Sequence, residues 1–145
     1  MKRLILTITG TLLFATVLSL FDFTFSRQTI SSLYNVLGII FSIGMGLLVT
    51  FRLDGIKNLS YIRNIRGNIK YLQKVFILYF TVSTISYISY QEVPIYEFMS
   101  YINTSIIANL FTICFIVFSM VYFVINFLAI QKLSEDIFDK INKEK

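Results

Sequence analysis

Histidine and tryptophan are absent from this sequence, and cysteine and proline occur once each. With Cys114 alone and no histidine, the chain cannot close an internal disulfide or assemble a His/Cys metal site within one subunit. Nucleophilic catalysis needs a base beside an activated serine, cysteine or lysine; with no histidine and few acids, no convincing pair can be named. Charge is scarce as well. Asp, Glu, Lys and Arg make up 14% of the 145 residues, against roughly a quarter in an ordinary soluble domain. There is no Walker loop, and Gly44-Met45-Gly46 lies inside an apolar run rather than after a strand, so it is no dinucleotide fingerprint. These absences predict a protein that is not an enzyme, with no catalytic residue, cofactor or metal. The basic residues lack the aromatic interleaving of a nucleic-acid-binding surface, so no nucleic-acid partner is expected either.

What the chain does have is apolar length. Apolar residues are 56% of the total and mean hydropathy is +0.73. Uncharged runs cover Leu4–Phe21, Gln28–Phe51, Val75–Gln91 and Phe98–Gln131, and runs of about 20 apolar residues suit a hydrocarbon layer of roughly 30 Å. The reading is an all-α, integral membrane four-helix bundle forming a single domain, 1–145, with spans at about 4–21, 30–51, 72–90 and 106–130. Met1-Lys2-Arg3 before the first span has the form of a secretory signal, but bulky Leu20-Phe21-Asp22-Phe23 follows only poor cleavage sites, so this helix is expected to stay uncleaved. Glu92-Val93-Pro94-Ile95 separates the last two spans, since proline removes a donor and disfavours helix in the residue before it.

Positive charge sets the expected topology. Twelve of the thirteen Lys and Arg residues fall in the N-terminus, the 52–74 segment and the tail, leaving only Arg27 on the other side. The positive-inside rule then places both termini in the cytoplasm. Tyr87, Tyr90, Tyr96 and Tyr101 gather at the opposite interface, where amphipathic rings sit between lipid and water. A composition rich in Ile, Phe, Tyr, Asn and Lys is associated with AT-rich bacterial genes, which gives a bacterial cytoplasmic (inner) membrane as the expected location.

The helix faces carry further information. Gly38, Ser42 and Gly46 recur every four residues, and Thr7, Thr11, Ala15 and Ser19 repeat that spacing, so two small faces are expected to pack the first and second helices together. In the fourth span, Ser105, Thr112, Ser119 and Asn126 are seven residues apart, with Asn109 one turn beyond the first. Seven residues fall about 20° short of two turns, so a stripe kept on one partner implies gentle left-handed supercoiling. Tyr79, Ser83, Ser86 and Tyr90 form a related line in the third span. Such groups turn away from lipid, toward other helices, a second subunit or water in a pore. No charged residue lies in the middle of any span, which disfavours a proton-coupled exporter.

The third helix has more length than a membrane needs. Its pattern starts near Asn58 or Ser60, either a possible N-cap, and from Ser60 to Tyr90 it would measure about 46 Å. An amphipathic cytoplasmic helix is expected over about 59–74, with Ile62, Ile65, Ile69, Leu72 and Phe76 on one side and Arg63, Arg66, Lys70 and Lys74 on the other. The amphipathic tail, 131–145, continues the fourth helix with Leu133, Ile137 and Ile141, and its Glu135, Asp136 and Asp139 offer opposite charge. Helices joined by an outside loop run antiparallel, so the two extensions are expected to emerge together as a stem. A basic helix lying flat on anionic headgroups is the alternative.

The leading functional expectation is a small tetraspan inner-membrane protein, effector-like, that self-associates and forms or gates a channel lined by Ser105, Asn109, Thr112, Ser119 and Asn126. The alternative is a non-conducting sensor or scaffold subunit that signals through the stem to a cytoplasmic protein. Expected partners are the bilayer, a second copy of the chain and, in the alternative, that cytoplasmic protein. No motif identifies a family.

Overall fold

A computed structural model describes residues 2–21, 23–51, 59–92 and 104–143, in which the backbone forms four helices and no strand. They are α1 (Lys2–Ser19), α2 (Arg27–Thr50), α3 (Leu59–Glu92) and α4 (Thr104–Lys143). Asn58, Arg52, Val93-Pro94-Ile95, Tyr96 and Tyr101 lie outside the described residues. Ser26 caps α2: its backbone is extended and its hydroxyl accepts from the Thr29 N–H at 3.1 Å, satisfying one of the helix's orphan donors. Phe51, again extended, ends that helix.

The 59–74 segment and the 131–143 segment continue α3 and α4 without a break. At 1.5 Å per residue, the 34 residues of α3 and the 40 of α4 measure about 51 and about 60 Å. Two stretches, Arg27–Thr50 and Ser105–Asp139, are long and apolar enough to cross a membrane. The apolar part of α1, Leu4–Ser19, is shorter, and serine, threonine and tyrosine dilute the apolar half of α3.

Helix α4 is the hub. It packs against α1, α2 and α3, while α2 also packs against α3. Phe76, Phe115, Ile116, Phe123, Ile30 and Leu37 are fully buried at the shared core. Aromatic rings join the helices in pairs: Phe41 on Phe80 at 4.2 Å between centroids, Tyr34 on Tyr87 at 4.3 Å, and Phe76 against Phe123 at 4.5 Å. Such pairs contribute about 0.5–1.5 kcal/mol beyond the area they bury.

The small faces of α1 and α2 do not meet as the four-residue spacing suggested. The core side of α2 is Ile30, Leu37, Gly44 and Leu48. Gly38 lies one residue past Leu37, rotated by about 100°, and a Cβ at Gly38 or Gly46 would meet nothing within 4 Å. Ser42 is exposed, and its hydroxyl bonds back to the Gly38 carbonyl at 2.9 Å. The close approach is at Gly44, where a Cβ would lie 2.8 Å from Phe76 Cε2, so a glycine is needed for the ring to seat. On α1, Ala15 is buried and Thr7 and Thr11 are half-buried, but the helix packs on α4.

Candidate functional site

The polar lines of α3 and α4 come together along one seam. Ser119, with no exposure, meets Ser83, also fully buried, at 3.2 Å between hydroxyl oxygens. Thr112 is 2% exposed; its hydroxyl donates to the Ala108 carbonyl at 2.8 Å and lies 3.4 Å from the Ser86 carbonyl. Asn109 is 5% exposed and clamps three groups. Its carbonyl accepts from the Phe25 N–H at 3.2 Å, and its amide donates to the Phe25 carbonyl at 2.9 Å and to the Tyr90 phenol at 3.0 Å. The Phe25 backbone precedes α2, so one side chain fastens α4 to α3 and to the entry of α2. Among the described residues, no buried side-chain nitrogen or oxygen lacks a partner.

The ends of the stripe differ from its middle. Ser105 is half-buried and lines a cavity at the start of α4. Asn126 is half-buried and donates to the Tyr122 carbonyl of its own helix at 2.8 Å. Further bonds cross between helices. Tyr34 meets Thr84 at 2.9 Å, Tyr79 meets Thr7 at 3.1 Å, and the Tyr87 phenol donates to Ser31 at 3.3 Å. The Phe25 backbone and the Tyr34–Thr84 pair were missed in the sequence. The available signal was the bare presence of Asn109 in an apolar run, because a buried carboxamide must find partners for its two donors and its acceptor.

No family model, curated protein or solved structure matches this chain.

At the other end of the molecule, the extensions of α3 and α4 keep a buried stripe. The Ser83–Ser119 pair fixes the antiparallel register; eighteen residues further along both helices lie Ile65 and Ile137, at 5% and 6% exposure. Arg63, Arg66, Lys70 and Lys74 are all exposed, and so are Glu135, Asp136 and Asp139. The stem is therefore an apolar seam with a charged surface, an arrangement that the hydrophobic effect stabilises in water. Cys114 is half-buried beside Thr11 and Phe14 in an apolar groove of about 490 Å³ between α1 and α4.

Proposed function

We propose that this chain is a bacterial inner-membrane protein of four crossings, with both termini cytoplasmic, that acts as a non-conducting sensor or scaffold through its α3–α4 stem. Burial supports lipid as the surrounding solvent. Only 17% of the most apolar stretch of α2 and 33% of that of α4 are buried, whereas an apolar core helix of a soluble protein is enclosed on all sides. Leu6, Leu13, Ile39, Ile85 and Ile125 are among the large apolar side chains that point outward on all four helices. Antiparallel packing gathers the basic beginning of α1, the end of α2, the beginning of α3 and the end of α4 at one end, in keeping with the positive-inside rule.

The observation that carries the choice of function is the saturation of the polar seam. Asn109, Thr112 and Ser119 use their hydrogen bonds inside one chain. A conduction path along them requires α3 and α4 to part, breaking these bonds and the aromatic contacts below them. The stem is the part that reaches beyond the lipid and offers charge of both signs to a protein. Self-association fits this reading without a pore, since the outward Gly38, Ser42 and Gly46 face of α2 admits a close second helix.

Purified protein reconstituted in liposomes tests the proposal. It is expected to pass neither ions nor a small dye, and a chain lacking residues 134–145 is expected to insert normally while losing its cytoplasmic complex in cells. Ion flux that depends on Asn109 and Ser119 would instead make the protein a channel.

A further inference from the structure

The end of the bundle opposite the stem carries a feature that scaffolding does not require. A cavity of about 240 Å³ opens where α2 and α4 begin and α3 ends, and Thr24, Arg27, Tyr90, Ser105 and Asn109 are among its lining. Among the described residues its lining includes a guanidinium, three hydroxyl groups and no carboxylate. Asn109 is already committed to Phe25 and Tyr90. Because the Tyr90 oxygen accepts that amide bond at 3.0 Å, its own proton is left to donate elsewhere. The N-termini of α2 and α4 lie at this place and add partial positive charge, set against the partial negative charge of the α3 C-terminus. Arg27 stands here apart from the other twelve Lys and Arg residues, so its charge does not belong to the basic end of the bundle.

We propose that this cavity binds a phosphate group through Arg27, Tyr90 and Ser105. Donors arriving from separate helices can satisfy a tetrahedral group with oxygens on several sides, and arginine matches phosphate in a two-pronged fork. The phosphate is supplied either by the phosphodiester of a lipid headgroup or by a free phosphate. The lipid source rests on the membrane reading; the chemistry of the cavity does not. Bound there, the group ties the entry of α2 to the start of α4 and strengthens the clamp that Asn109 already forms.

The full chain in a neutral detergent is titrated with inorganic phosphate at constant ionic strength, and separately with dioctanoyl phosphatidylglycerol, with dioctanoylglycerol as the phosphate-free control. Binding is read by phosphorus NMR line broadening and by the melting temperature. Saturable binding of either phosphate probe, weakened about tenfold in Arg27→Gln by loss of a charge-assisted bond and partly restored in Arg27→Lys, is the expected result. Ser105→Ala is expected to weaken it by a smaller factor. Preference for the phosphatidylglycerol identifies a headgroup site, and preference for inorganic phosphate a soluble-anion site. Arg27 is exposed, so Arg27→Gln should melt like the parent when no probe is present. No saturable binding of either probe, or equal binding by the parent and Arg27→Gln, would overturn the proposal. A chain recovered as a detergent-free soluble monomer would sink the membrane reading instead, and the inorganic phosphate titration could still be run on it.

Discussion

The upper and lower halves of the α3–α4 interface are built from different chemistry. From Tyr90 to Ser83 the seam is polar, with each buried group given a partner. From Phe76 down to Ile65 the buried residues of α3 are apolar, as are Phe123, Ile130 and Ile137 on α4, with Phe76 against Phe123 at 4.5 Å. In lipid, apolar contact between helices replaces equally apolar contact with acyl chains, so hydrogen bonds and close fit carry the specificity. In water the same apolar contact is strongly favoured. On the proposed membrane placement, the polar seam orients the helices within the lipid, and apolar contact in water holds the stem before about residue 72 of α3 and after about residue 130 of α4.

Four substitutions and one control separate these roles. Asn109→Leu should have the largest effect, because it strips partners from the Phe25 N–H, the Phe25 carbonyl and Tyr90. A loss of about 3 kcal/mol is expected from groups left unpaired, read from unfolding in mixed micelles. Gly44→Val comes next, since its side chain must displace the Phe76 ring; overpacking of this kind costs about 2 kcal/mol. Gly46→Val, which meets nothing within 4 Å, is the control, expected within about 0.5 kcal/mol of the parent. A large loss of monomer stability there would show that the core face of α2 has been misassigned.

Ile137→Ala probes the stem. About 2 kcal/mol is expected for an isoleucine truncated at a buried site, and hydrogen exchange should quicken in residues 59–72 and 131–143 while the spans stay protected. Uniform exchange throughout would show that stem and spans unfold as one unit. Apart from the Gly46→Val control, Ser119→Ala should matter least, at about 0.6 kcal/mol, because Ser83 keeps its bond to the Tyr79 carbonyl at 2.9 Å.

Periodicity made part of this legible in the sequence. Seven-residue spacing in α4 and the Tyr79, Ser83, Ser86, Tyr90 line in α3 marked both sides of the seam, because buried polar groups are tied to helix geometry. Helical lengths followed from the patterns before Leu72 and after Ile130. The packing partner of α1 did not follow. Small residues state only where bulk is missing, and both α2 and α4 can approach such a face. The spacing put Gly38 and Gly46 on the packing face and passed over Gly44, and only the position of the Phe76 ring across the interface marks Gly44 as the close approach. The Phe25 backbone bonds were equally hidden, since backbone groups leave no trace in residue type.

Cysteines at Ser83 and Ser119, introduced together in a Cys114→Ala background, test most directly whether the polar seam lies within a single chain. Mild oxidation in native membranes should give a disulfide within the monomer, and before oxidation neither thiol should react with a membrane-impermeant reagent. Disulfide-linked dimers would move the seam to a subunit boundary. Labelling from the aqueous phase would make it the wall of a water-filled path, contradicting the non-conducting reading.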